Sequence, residues 1–353
     1  MSINKKLLLA FLISFAILLP SLAHCDTVLK VGVVAPLTGP IGIVGESMRN
    51  AITLENEKAA ANPASLKLEF IFEDDQFDPK TAVSAVRKLI DVDKVKALLV
   101  FGSASTFASS GLAEQAGVPM VALAFSEKVV ENKSFIFRMF QTARQQAELL
   151  AKEIERRKYS SIAIVTATNE ANIVMRDSLK VINKVKVVAE EEVAPNDFDL
   201  KVTALKIVQA KPAAVALFLI GPQLGVLPRR LRELGYKGDI FGSSPMQNQA
   251  QINAASGALE GAWLSALDMS HAQNFLAEYQ KRFSTPVTPD GILAYDAAAL
   301  IRQAAASGDI AKAIKAMPSF DGIFGRHQKL ADNSFDSPLV IKKVENGQVV
   351  VAK

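Results

Sequence analysis

Cysteine is nearly absent: Cys25 is the only one in 353 residues, which excludes an intrachain disulfide and a cysteine-built metal site. Histidine is scarce too. His24, His271 and His327 lie far apart with no carboxylate or cysteine spacing around them, so no metal site is expected. There is no Gly-x-x-x-x-Gly-Lys phosphate loop and no Gly-x-Ser-x-Gly elbow. The chain therefore reads as a non-enzyme, with no catalytic residue and no cofactor. An excess of one charge is lacking as well: the formal +4 includes Lys5 and Lys6, the only charged residues before Asp26, leaving about +2 on the remainder. That bias is too weak to imply a nucleic-acid partner.

What the sequence has begins with export. Lys5 and Lys6 precede the apolar run Leu7 to Leu19 and the small-residue exit Pro20-Ser21-Leu22-Ala23, the pattern of a secretory signal peptide. The run is shorter than the ~20 residues of a spanning helix, and no later run is long enough to cross a bilayer. Residues 1–25 are taken as the export segment. Cleavage after Ala23 is preferred over cleavage after Cys25 or lipidation of Cys25, because His24 stands where a lipoprotein box has a small residue. A soluble periplasmic product is expected.

Strand and helix patterns then alternate. Val28 to Ala35, Leu66 to Phe72, Ala97 to Phe101, Val118 to Ala124 and Phe135 to Met139 read as buried strands, with helices from Glu46 and Pro79 between the first of them. Asp78 is a natural cap and Pro79 a first helical residue, so Glu73, Asp74, Asp75 and Asp78 are better explained by a strand end and a capped helix than by a cation site. A second series follows, with strands at Ser161 to Thr166, Val185 to Glu191, Ala213 to Ile220 and Asp239 to Phe241. The segment from Gly261 completes both series, ending in an Asn346-Gly347 hairpin. The expected class is α/β: two Rossmann-like lobes with parallel-sheet cores joined by a three-segment hinge. Lobe 1 takes 26–142 and 267–333; lobe 2 takes 143–266 and 334–353. Trp263, near a crossover, is expected to report closure by fluorescence.

In parallel sheets, ligands sit outside the carboxyl ends of the strands. The turn Gly102-Ser103-Ala104-Ser105-Thr106 sets hydroxyls and free helix amides at such an end, where a carboxylate is stabilised; an ordinary helix cap at Ser103 or Ser105 is the competing reading.

These residues resemble a family. Lys30-Val31-Gly32-Val33-Val34-Ala35-Pro36-Leu37-Thr38-Gly39-Pro40, the Asp74-Asp75 to Asp78-Pro79 segment, the serine-rich turn, Tyr295-Asp296-Ala297-Ala298 and the closing Phe320-Asp321-Gly322 to Asn346-Gly347 pattern are similar to type I periplasmic solute-binding proteins of the leucine/isoleucine/valine branch. The resemblance implies a monomer that closes on a small solute and presents it to an ABC permease in the inner membrane. It implies that Ser103, with Ser105 and Thr106, holds the ligand carboxylate, and that Ala124 offers a carbonyl and Ser126 a hydroxyl. Phe125 adds an aromatic wall.

The second lobe departs from the pattern. Asn169-Glu170-Ala171-Asn172 lacks the tyrosine common in that loop, and Ser244 stands where an acidic residue usually neutralises the ligand ammonium. A standard α-amino acid is thereby in doubt, because a buried ammonium without a carboxylate is costly. Glu170 and Asn172 are nominated as substitutes, and an amino-acid-like solute, carboxylate or amide is expected. A two-lobed repressor is disfavoured because the chain begins with an export signal rather than a helix-turn-helix. A periplasmic sensor that signals to a membrane receptor is the alternative to transport.

Overall fold

The computed structural model describes residues 28–39 and 41–352; the export segment, with Lys5, Lys6, His24 and Cys25, lies outside the described residues. No helix among those described is long and apolar enough to cross a membrane.

The chain opens with β1 (Leu29–Ala35), α1 (Gly42–Ala60), β2 (Leu68–Asp74), α2 (Pro79–Asp91), β3 (Ala97–Phe101), α3 (Ser103–Ala116), β4 (Met120–Leu123) and β5 (Ile136–Met139). Asp78 caps α2 by accepting from the Thr81 amide at 2.8 Å, with Pro79 next in line, as the sequence predicts. The strands pair in parallel in the order β5-β4-β3-β1-β2. Alternate residues along them point to opposite faces, and both faces are apolar. Val31, Val33, Leu99 and Val121 pack with α1 on one side, whereas Val34, Leu98, Val100 and Ala122 pack with α2 and α3 on the other.

The chain then crosses at Phe140–Thr142 and repeats the scheme: α4 (Ala143–Arg156), β6 (Ser161–Ala167), α5 (Glu170–Ile182), β7 (Lys186–Val193), α6 (Lys201–Ala210), β8 (Ala214–Phe218), α7 (Gln223–Glu233), β9 (Asp239–Gly242), α8 (Gln249–Ala254) and β10 (Trp263–Leu267). Thr142 and Gln145 form a reciprocal capping box at the head of α4. The order β10-β9-β8-β6-β7 mirrors the first sheet. The remaining elements return to both lobes. Helix α9 (Gln273–Arg282), α10 (Pro289–Ala305) and α11 (Ile310–Ala316) lie in the first lobe, followed by the hairpin β11 (Ser319–Gly322) and β12 (Gly325–Gln328). Next come β13 (Ser334–Phe335), β14 (Leu339–Glu345) and β15 (Gln348–Val351).

Strand β13 joins the first sheet beside β5, and β14 joins the second antiparallel to β10. Asn346 and Gly347, at φ 52° and 70°, turn the β14–β15 hairpin in the primed geometry that matches strand twist. Pairing carries the second sheet through Leu267 and the first through Phe335. The partner strand, not the local pattern, decides where each sheet ends. The three crossings lie side by side: Phe140 donates its amide to the Phe335 carbonyl at 3.4 Å, and Asp268 donates to Pro338 at 2.9 Å. His327 is wholly buried among them, one ring nitrogen 2.7 Å from the Asp336 carbonyl and the other 3.0 Å from the Asp296 carboxylate.

Candidate functional site

Both sheets reverse their direction of winding beside their first strand, between β1 and β3 in one lobe and between β6 and β8 in the other. A crevice opens at the carboxyl ends of the strands at each reversal. The first-lobe wall is therefore built by the turns after β1, β3 and β4, and the second-lobe wall by those after β6, β8 and β9.

The turn after β1 is held by Asp74 at the end of β2, which accepts from the Leu37 and Gln76 amides, both at 2.9 Å, and from the Thr38 hydroxyl and amide. Burial acts to raise its pKa, but these donors hold the carboxyl below its ordinary value. Helix α1 starts close under this turn because Gly45 has no side chain; a Cβ there would lie 2.2 Å from the Pro36 carbonyl oxygen.

After β3, Gly102 adopts φ +90°, and a Cβ would press on the Phe77 ring at 3.1 Å. The amides of Ser103, Ala104 and Ser105 precede the first intrahelical bond of α3, from Thr106 to the Gly102 carbonyl. The three hydroxyls of this turn go different ways. Ser103 Oγ accepts from the Ser126 amide at 3.0 Å, tying the β3 and β4 turns together at the cleft. Ser105 instead donates to the Asp75 carboxylate at 2.6 Å inside the lobe, and Thr106 donates to the Gly102 carbonyl at 2.8 Å. Both are buried, so of the expected hydroxyls in this turn only that of Ser103 stands at the cleft. Burial raises the Asp75 pKa, partly offset by the bonds from Ser105 and the Phe77 amide.

Ala124 is fully buried, and its carbonyl accepts from Arg138 Nη1 at 3.2 Å. The same nitrogen donates to the Phe140 carbonyl at 2.8 Å, so one guanidinium spans the β4 turn and the first crossing. Burial lowers its pKa to about 10, which leaves it charged at neutral pH. The Phe125 ring meets that of Phe140, at the first crossing, edge-on at 6.4 Å and packs beside the second-lobe cluster of Ala143, Ala147 and Met175.

Phe125 and Ala171 line two adjoining cavities. The outer one, about 590 Å³, has Ser103, Ser126 and Arg144 facing Val174, Asp177 and Ser178 of α5. The other, about 520 Å³, lies at the crossings and is lined by Phe140, Gln141, Asn172, Ser244 and Asp290 among others. Asn172, in the first turn of α5, gives its amide to the Asn169 cap at 3.1 Å, while its side-chain Nδ2 is buried without a partner. Glu170 heads that helix; its side chain lies outside the described residues. Ser244 opens the short turn Ser244–Gln247 after β9.

Sequence reasoning missed Gln141 and Asp290. Gln141 is buried with Oε1 unpartnered. Asp290 sits in the first turn of α10 behind the Thr288 cap, and burial pushes its carboxyl up to about 6. In the sequence Thr288-Pro289-Asp290 is an ordinary helix start, and nothing in it signals that the turn faces the cleft.

Two lobes of like winding, three adjacent crossings and a cleft between them define a type I binding-protein fold. The chain belongs to the periplasmic binding protein family, whose model matches residues 28–348. It is 27% identical over 239 residues to the Leu/Ile/Val-binding protein BraC3 of Rhizobium johnstonii, covering 64% of each chain and so just under two thirds of that relative. Among solved structures it resembles the branched-chain amino acid transporter substrate-binding protein LivJ of Streptococcus pneumoniae in complex with isoleucine. There the TM-score is 0.77 at 19% identity, over 92% of this chain and 100% of that one. It also resembles an ABC transporter solute-binding protein of Rhodopseudomonas palustris in complex with p-hydroxybenzoic acid, with TM-score 0.79 at 20% identity over 92% and 96%.

Proposed function

We propose that this protein is the exported, periplasmic solute-binding component of an ABC importer, which captures a small amino-acid-like solute, carboxylate or amide between its lobes and hands it to an inner-membrane permease. The supporting observation is the junction of Ser103 and Ser126 at the head of α3, where the Ser103 hydroxyl, accepting from the Ser126 amide, and the open amides of the first helical turn meet at the cleft. A carboxylate seated there gains charge-assisted hydrogen bonds from the first lobe alone. Closure requires contacts that exist only when the lobes meet, and Asn172 and Ser244 on the facing wall are the groups to supply them.

Relatives of this fold carry isoleucine or p-hydroxybenzoic acid, and both present a carboxylate. Ligand identity then resides in the second wall and the crossings. Binding of amino acids, aromatic acids, short fatty acids and amides to the mature protein, read by calorimetry and melting shift, tests the proposal. Ser103→Ala is expected to weaken carboxylates about tenfold, the worth of one charge-assisted bond. A panel in which no solute raises the melting temperature, or a Ser103→Ala protein that binds its carboxylate undiminished, would refute it. Lost solute uptake on deletion would separate transport from sensing.

A further inference from the structure

We infer that Asp290, with the Gln141 side-chain carbonyl, forms a cation subsite at the crossing end of the cleft that takes the ammonium group of the solute. This rests on the solute-binding reading above and specifies the second pole of that solute. Three observations carry it. Among the described residues that line the crossing-side cavity, Asp290 is the one charged side chain, so the cavity holds an uncompensated negative charge. No ion pair and no side-chain hydrogen bond engages that carboxylate among the described residues. Its pKa is shifted by burial and, in the opposite sense, by its own backbone amide.

The second observation is independent of the helix start on which Asp290 sits. Gln141 lines the same cavity, is 7% exposed, and its Oε1 is buried with no partner. A buried acceptor left unmade is costly, and it marks a place where a donor fits. Two acceptors, one of them charged, suit an N–H-bearing cation. A hard inorganic cation needs about six oxygens and finds a single carboxylate here. Thirdly, Asn172 Nδ2, an unpartnered donor on the facing wall of the same cavity, suits an acceptor elsewhere on the solute.

This resolves the doubt raised by Ser244. The carboxylate missing from the second lobe is supplied instead by α10 of the first, where the positive end of the helix eases the cost of holding it unpaired. The cation would be gripped beside the crossings, not on the moving wall.

The test uses matched solutes that differ only by the amine: leucine against 4-methylpentanoate, and phenylalanine against 3-phenylpropanoate. Wild-type protein is expected to bind the amine-bearing member of at least one pair tenfold or more tighter. Asp290→Asn is expected to abolish that preference while leaving the affinity for the des-amino member within about threefold; Ser103→Ala is expected to weaken both members. A wild-type protein that binds des-amino acids as tightly as their amines overturns the cation subsite and leaves the solute-binding reading standing. Failure of every member to bind overturns both. Should Asp290→Asn not fold, the wild-type preference and its weakening in Gln141→Leu still decide the matter.

Discussion

The two halves of the cleft treat their polar groups in opposite ways. On the outer side the first lobe is self-satisfied: Ser103 accepts from Ser126, Ser105 donates to Asp75, Thr106 donates to Gly102, and Asp74 gathers the Leu37, Thr38 and Gln76 amides. At the crossings, Gln141 Oε1 and Asn172 Nδ2 lack partners, and among the described residues no other side chain engages the Asp290 carboxylate, which is met by its own backbone amide. Closed networks hold turns in place before any solute arrives, while groups left open raise the free energy of the empty protein and give it back on binding. The comparison therefore predicts opposite signs: loss of a buried group on the first side, such as Ser105, weakens the fold, and loss of one on the second strengthens the free fold while weakening binding.

The largest effect is expected at Asp290. A rise from 3.8 to about 6 means that the folded protein resists ionising this carboxyl, at a cost on the order of 2–3 kcal/mol once it is ionised. Because the folded pKa lies above the unfolded one, that cost is absent below about pH 4 and fully present above about pH 6. Asp290→Asn should thus be more stable than wild type at pH 7.5, with the two denaturation midpoints converging as the pH falls through that window. Equal midpoints at pH 7.5 would show that the carboxylate is not held at a disadvantage.

Second in size, and opposite in sign, is Ser105→Ala. It strips a donor at 2.6 Å from a buried carboxylate and should cost about 1–3 kcal/mol of stability. Ser103→Ala, two residues away, should change the stability of the free protein by under about 0.5 kcal/mol, since it releases one amide at the cleft edge. If the two variants melted alike, the division between structural and ligand-facing hydroxyls in this turn would fail.

That division was not legible in the sequence, where Ser103 and Ser105 look interchangeable, because it depends on Asp75, a partner thirty positions away that only the pairing of β1 with its neighbours brings near. The frame itself was legible. Ala97–Phe101 and Pro79–Asp91 fall where an apolar run and a cap with its proline put them. Short helices were not: α8 and α11 are capped by Asn248 and Asp309, yet each is under eight residues and too brief to show a period. Asp290 stayed hidden for a related reason, since an acidic residue in a first helical turn is common for the helix's own sake.

Gln141→Leu sharpens the contrast further. Replacing a buried amide whose carbonyl has no partner with an apolar side chain of similar length should raise the stability of the free protein by about 1 kcal/mol. The same change should weaken amine-bearing solutes. A drop in stability would mean that the amide serves the fold.

The smallest effect concerns Trp263, for which the structure leads to a prediction opposite to the expectation that its fluorescence reports closure. The indole is wholly buried on the second sheet, stacked on Phe241 at 4.4 Å, with the Arg157 guanidinium 5.0 Å from its centre and Nε1 donating to the Tyr159 hydroxyl at 3.0 Å. Tyr159 in turn donates to Asp239 at the start of β9, so this cluster belongs to the interior of the lobe. Leu267, at the cleft end of the same strand, is four residues further on, about 13 Å at ~3.3 Å per residue. Rigid closure of one lobe on the other leaves every one of these contacts unchanged. A solute that raises the melting temperature should therefore leave the emission maximum where it was, and a clear shift would mean that binding repacks the second lobe instead of moving it as a body.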